Sequence, residues 1–251
     1  MKHVIFAMLA GLTICNPAMA QACHKQSPAH AVALLELYSS EGCSSCPPAD
    51  RALSGLKGAA QADQVVPLAL HVDYWDYIGW TDRFAKPEFS ARQNQLVAEV
   101  NSRAVYTPEM FLGTRELRNW RGQLETAIGA INREPARATI SIDAGKPSSG
   151  KLPVSIKTTA AENASLYIAL YENGLSSNIK AGENNGVTLH HDFVVRDWQG
   201  PIALPAKAGE TVNLRQLKLP DDVNPQLGVA AFVRNGSGEV LQALALPLCG
   251  S

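Results

Sequence analysis

Two nearly continuous apolar runs, 31–38 and 65–72, mark the first half of the chain, and only Glu36 interrupts the first. Runs of this length without polar alternation predict strands covered on both faces. Residues 49–60 have helical composition, and 89–100 places Leu96, Val97 and Val100 at helical spacing. Two short runs, 109–112 and 116–120, are joined by Gly113-Thr114, which suits a hairpin. Residues 123–131 carry Leu124, Ala127, Ile128 and Ile131 on one helical face. The order strand, helix, strand, helix, two strands, helix predicts parallel pairing with helices on the sheet faces.

The pattern changes after Pro135 to short strands of period two: 139–143, 152–159, 165–172, 190–198, 210–217, 227–235 and 239–246. Turn signals such as Glu172-Asn173-Gly174 and Glu183-Asn184-Asn185-Gly186 separate them. Seven short strands in this spacing predict a small β-sandwich.

Composition narrows the class. Of 251 residues 46% are apolar, and 22 Lys and Arg face 23 Asp and Glu. That excludes collagen, low-complexity disorder and a transmembrane bundle. A net charge of −1 leaves no electrostatic footprint for nucleic acid and no basic tail for an anionic membrane. Five cysteines are an odd number. Lys2 and His3, an apolar run over 4–14, the Asn16-Pro17 break and the small-x-small site Ala18-Met19-Ala20 read as a secretory signal peptide over 1–20. The other reading is a retained N-terminal anchor, although the run is too short to span a bilayer. Cleavage removes Cys15 and leaves Cys23, Cys43, Cys46 and Cys249, an even set that suits disulfides in an exported protein. The expected location is periplasmic or secreted, with no membrane attachment after cleavage.

Cys43-Ser44-Ser45-Cys46 sits where the first strand gives way to a helix. Two cysteines at this spacing can close a small disulfide ring. The positive end of a helix lowers a thiol pKa from about 8.5 into a range of roughly 3.5–7.5. Cys43 is then an exposed nucleophile, and Cys46 resolves the mixed disulfide. A structural disulfide or half of a zinc site are the other readings. Zinc needs two more ligands, and no second CxxC is present.

Tyr106-Thr107-Pro108-Glu109-Met110-Phe111 opens the third strand. Here the sequence resembles the thioredoxin superfamily, in which a cis-proline preceded by Thr or Val faces the CxxC. The resemblance covers about residues 30–133. It implies a cis Pro108, with Thr107 and Pro108 holding an extended substrate segment beside the reactive sulfur. It also implies that Glu36, seven residues before Cys43, is a buried acid of raised pKa that moves protons for the resolving cysteine. An offset of one residue would turn Glu36 to the other sheet face. At closer range "YSSEGCSSCPPAD", "HVDYWDYIGW" and "YTPEMFL" resemble one exported bacterial family of thioredoxin-like proteins, known mainly as a domain of unknown function. Pro47-Pro48 depart from the thioredoxin pattern. They predict a helix starting near Pro48, with both sulfurs slightly ahead of it.

Tyr74, Trp75, Tyr77, Trp80, Phe84 and Phe89 crowd the segment between the second strand and the second helix. They read either as a satellite core under a long loop or as a lip beside the CxxC, with Trp75, Tyr77 and Trp80 as substrate-groove candidates. His71 reads as a strand-end histidine in preference to a copper ligand, and His190, His191 and Asp192 as surface or inter-domain residues. If Cys43 pairs with Cys46, Cys23 and Cys249 are left for each other as a structural disulfide. The alternative is two tail cysteines, one of them free to exchange with Cys43.

The expected architecture is therefore an α/β thioredoxin-like domain with an aromatic insertion over 21–135, followed by a small all-β sandwich-like domain over 136–251. The expected function is an exported thiol–disulfide oxidoreductase. Its redox group is its own disulfide, with no metal, and its partners are protein or small thiol substrates and a periplasmic redox partner. The competing reading is a non-catalytic binding protein whose CxxC is structural or binds Cu(I).

Overall fold

The structure is a computed structural model, and it describes residues 23–206, 209–222 and 226–249. The signal-peptide segment 1–20 and Cys15 lie outside the described residues. The first half holds β1 (Cys23–Gln26), β2 (Ala33–Ser39), α1 (Pro47–Ser54), α2 (Lys57–Gln61), β3 (Val65–His71), α3 (Pro87–Glu99), β4 (Glu109–Leu112), β5 (Arg115–Glu116) and α4 (Trp120–Asn132). The second half holds β6 (Ala138–Ala144), β7 (Lys151–Ala160), β8 (Ala164–Glu172), β9 (Leu175–Asn178), β10 (Thr188–His191), β11 (Val194–Leu204), β12 (Thr211–Lys218), β13 (Leu227–Asn235) and β14 (Val240–Pro247).

The apolar runs become β2 and β3, buried along their whole length and paired in parallel. β4 pairs antiparallel with β2, and Gly113, at φ +61°, makes the tight turn into β5. On the other side of β3 comes β11, parallel to β3 and antiparallel to β8. The result is one eight-stranded sheet in the order β14-β13-β8-β11-β3-β2-β4-β5. A second sheet, β1-β6-β7-β12, packs against it, and β9 with β10 forms a separate two-stranded ribbon.

An α/β thioredoxin-like domain followed by an all-β sandwich-like domain is not what the chain builds. Among the described residues strand accounts for 44% and helix for 18%, and the large sheet is mixed. Strands from both sides of Pro135 share it. The physical reason lies in β8 and β13. Leu166, Ile168 and Leu170 of β8 enter a core with Ile140, Ile142, Ile156 and Leu217. The alternate residues Tyr167, Ala169 and Tyr171 enter the other core with Phe193 and Phe232. A strand apolar on both faces belongs inside a sheet covered on both sides. β7, with Leu152, Val154 and Ile156 buried between half-exposed positions, is the one-sided kind.

Local differences are smaller. The helix expected over 49–60 is broken at Gly55-Leu56, where the Gly55 amide bonds to the Arg51 carbonyl and closes α1. Trp120 opens α4 and does not end a strand. Among the described residues no helix is long and apolar enough to cross a membrane.

Candidate functional site

β2 delivers the chain to a turn at Ser40–Gly42, and the Cys43 amide bonds back to the Ser40 carbonyl at 3.2 Å. Cys43 and Cys46 form a disulfide with Cα atoms 5.4 Å apart. Cys46 is the N-cap of α1, and its carbonyl accepts the Ala49 and Asp50 amides at 2.8 and 3.1 Å. Pro47 fills the first helical position, where a missing N–H costs nothing. Cys43 therefore lies three residues ahead of the cap, in a turn.

Both cysteines are fully buried, at 0% exposure. The exposed Cys43 expected from the sequence is not found, and side chains from the second half hold the backbone around it. Asn184 Nδ2 donates to the carbonyls of Glu41 and Cys43 at 2.8 and 3.0 Å, and Glu183 Oε2 accepts the Ser44 amide at 2.9 Å.

Ser45 links the cysteines to the Thr107-Pro108 segment. Its Oγ lies 3.3 Å from Cys43 Sγ and contacts the Thr107 carbonyl at 3.4 Å. The Thr107-Pro108 bond is cis, and Thr107 Oγ1 is buried without a partner among the described residues. Glu109 follows. Its Oε2 accepts Gln93 Nε2 at 2.6 Å, and its Oε1 is buried and unpartnered. Burial raises its pKa to about 7, against the lowering effect of the Gln93 bond.

Glu36 is buried, but not as the expected proton carrier. Arg92 of α3 meets it at 2.9 and 3.1 Å, and the Tyr38 hydroxyl donates to it at 2.8 Å. Burial pushes its pKa up, but Arg92 and Tyr38 outweigh that and hold it below the usual value. The raised pKa inferred from the sequence is thus corrected: a cation sits against the carboxylate.

The aromatic segment divides. Phe84 and Phe89 are buried, Trp75 packs on the core, and Tyr77 is 84% exposed. Trp80 Nε1 donates to Glu41 Oε2 at 2.8 Å, just ahead of the CxxC. Glu41 belongs to a buried cluster. His71 Nδ1 lies 2.6 Å from Asp82 Oδ2, His191 Nε2 lies 3.3 Å from Glu41 Oε1, and His191 Nδ1 lies 3.9 Å from Asp50 Oδ2. His190 is exposed, whereas His191 is buried at 2% exposure and, of the surface and inter-domain readings, stands between the halves, against Glu41 and Asp50. Among the described residues no group of three or more His, Cys, Asp or Glu is placed to hold a metal ion. Cys23 and Cys249 form the second disulfide, with Cα atoms 5.5 Å apart.

Residues 34–234 match the model of a family described as "Protein of unknown function (DUF1223)". The chain belongs to this family. The matched DUF1223 span contains both halves of the large sheet's centre, Cys43, Cys46, Pro108 and Asn184, and leaves Cys23 and Cys249 outside. No curated protein matches. The fold is similar to the crystal structure of protein AGR_C_4864 from Agrobacterium tumefaciens, at 27% identity and TM-score 0.61, covering 88% of this chain and 97% of that one. It is also similar to HBP35 of Porphyromonas gingivalis, at 16% identity and TM-score 0.63, covering 88% and 76%. That second likeness concerns the fold alone.

Sequence reasoning did not single out Ser45, Glu109, Asn184, Glu183 or the Glu41–Asp50–His191 cluster. Glu109 carried a signal, being a carboxylate beside Pro108 at the head of an apolar run. Glu183 and Asn184 carried none beyond an ordinary turn composition.

Proposed function

We propose that the protein is an exported thiol–disulfide oxidoreductase, with Cys43 the exchanging sulfur and Cys46 the resolving one. The observation that carries this reading is the Ser45 hydroxyl, which lies beside Cys43 Sγ and against the Thr107 carbonyl. It joins the dithiol to the backbone next to Pro108, and its one proton can turn from the Thr107 carbonyl to a thiolate at Cys43. In the oxidised form a substrate thiolate attacks Cys43 Sγ. A mixed disulfide forms, and Cys46 leaves as a thiolate and takes up a proton. A second substrate thiol then displaces Cys43, so two electrons and two protons pass from substrate to protein. The disulfide is the redox group, and the substrates are protein or small thiols that meet it outside the cytoplasm. Two disulfides in one chain suit an oxidising compartment, periplasmic or secreted.

The test is insulin or glutathione exchange by wild type, Cys43→Ser, Cys46→Ser and the double serine variant. Cys43→Ser is expected to abolish turnover and Cys46→Ser to trap mixed disulfides. Wild-type turnover no faster than that of the double variant sinks the reading. The burial of both cysteines favours a second one, in which the disulfide is only a structural bridge. Under it the reduced protein loses stability and exchanges with nothing.

A further inference from the structure

A thiolate must reach the sulfur it attacks, so a covered disulfide reacts only when its cover opens. Here the segment 179–187 between β9 and β10 is bonded to the backbone around the buried Cys43. Its own bonds are four: the Ile179 amide to the Val187 carbonyl, the Gly186 amide to Ile179, the Val187 amide to Asn184 and the Asn185 amide to Gly182, at 2.9, 2.9, 3.0 and 3.3 Å among the described residues. The ribonlike pair β9 and β10 belongs to neither large sheet, and an isolated two-stranded hairpin is marginal on its own. Its root is fixed by buried Leu175, Leu189 and His191.

The tip is tied to the CxxC turn by Glu183, which meets the Ser44 amide and side chain, and by Asn184, which donates to the carbonyls of Glu41 and Cys43. Ile78 fits between the tip and the turn. A methyl on Gly182 would stand 3.0 Å from Ile78 Cδ1, and one on Gly42 would stand 3.2 Å from the same atom. The tip therefore sits closely against the turn that carries the dithiol, while its root is held elsewhere.

We propose that the tip of the β9–β10 hairpin is a cover that lifts before the Cys43–Cys46 disulfide can be attacked, with Glu183 and Asn184 as its latch. The biological use of this device rests on the thiol–disulfide reading above, but its operation does not. Both residues are positioning residues: they hold the cover against the backbone of the motif.

The experiment is reduction of the oxidised full chain by excess dithiothreitol at fixed pH, followed at Cys43 and Cys46 by alkylation and peptide mass spectrometry. One dithiothreitol thiolate attacks Cys43 Sγ, its second thiol closes a cyclic disulfide, and Cys43 and Cys46 emerge as two thiols. Hydrogen exchange at the Ile179, Gly186 and Val187 amides is measured on the same samples. Glu183→Ala and Asn184→Ala together are expected to speed reduction about tenfold and to speed exchange at those amides in parallel, with Glu183→Gln in between. Glu183 is exposed, so Glu183→Ala alone keeps the test available if Asn184→Ala does not fold. Reduction within twofold of wild type in the folded variant overturns the proposal, as does faster reduction without faster exchange at the hairpin. Failure of the thiol–disulfide reading looks different: insulin turnover is absent in wild type and variants alike, while gated reduction by dithiothreitol persists.

Discussion

The Arg92 guanidinium grips the Glu36 carboxylate at two points, Nη2 2.9 Å from Oε1 and Nε 3.1 Å from Oε2, with both side chains buried. The rings of Tyr167, Trp198 and Phe232 stand 5.1, 6.0 and 6.0 Å from the same guanidinium, so this ion pair ties α3 and β2 to the second half of the chain. Removing Arg92 would strand a buried carboxylate. Arg92→Leu is expected to cost about 3–5 kcal/mol in urea denaturation at pH 7. Glu36 has a lowered pKa in the fold, so the stability it lends is complete above the unfolded carboxylate value. It is lost as pH falls through the lower folded one. Glu36→Gln should flatten that acid limb and leave the pH profile of thiol exchange in place. A shifted exchange profile would return Glu36 to the redox chemistry.

His71 and Asp82 form a second buried pair with the opposite signature. Burial alone would lower the His71 pKa, but Asp82, with Asp50 and Glu41 behind it, raises it to about 9. A histidine raised in the fold stabilises fully below about pH 6.5, and that contribution drains away as pH climbs through the folded value. Asp82, lowered mainly by His71 against its burial, loses its own contribution on the acid side. Wild type should therefore lose stability between pH 6.5 and 9. His71→Gln should remove that slope and cost about 3 kcal/mol at pH 6. Guanidinium midpoints across this range measure it, and a flat wild-type curve would mean that His71 is neutral throughout.

How far the sequence spoke depended on the range of the interaction. β2 and β3 were legible because eight-residue runs so nearly free of polar side chains read as strands covered on both faces. The strand-to-helix position of the CxxC was legible because Pro47 stops one element and starts the next. The joint between the halves was not, because it rests on β11 lying beside β3 through a pairing of Val194 with Ala69. Nothing local in either segment encodes that partner. The same holds for the site. A carboxylate at Glu36 was visible, but the sign of its pKa shift is set by Arg92, 56 residues away. Asn184 reaches Cys43 across 141 residues.

Cys23 and Cys249 are joined across a sequence separation of 226, which closes nearly all of the described chain into one loop. In the chain-entropy account a loop of this length is worth up to about 5 kcal/mol, and measured values often fall short. β1 is short, only Cys23–Gln26, and pairs with β6 at the edge of the second sheet, where Lys25 also meets Asp63 and the Ala245 carbonyl. The Cys23→Ala, Cys249→Ala double variant is expected to lose about 2–5 kcal/mol, or roughly 5–15 °C in Tm for a chain of this size. Its rate of exchange at Cys43 should be unchanged. A changed rate would make this bond part of the redox chemistry and not a staple.

Glu109 gives the sharpest pH test. Its pKa is raised to about 7 by burial, and Glu116 adds to the effect while Gln93 opposes it. A carboxyl that keeps its proton longer in the fold than in the unfolded chain lowers stability as pH rises from about 4.5 to 7, and the deficit persists above that. Glu109→Gln preserves an acceptor for Gln93 and removes the charge. It should be more stable than wild type by about 1 kcal/mol at pH 8 and equal to it at pH 4.5, in urea denaturation at both values. The group also stands two residues from Thr107, whose carbonyl meets the Ser45 hydroxyl beside Cys43. If Glu109 exchanges protons with the dithiol, Glu109→Gln flattens the pH dependence of thiol exchange between pH 6 and 8, and Glu36→Gln does not. Equal profiles for wild type and Glu109→Gln would confine Glu109 to the stability of β4.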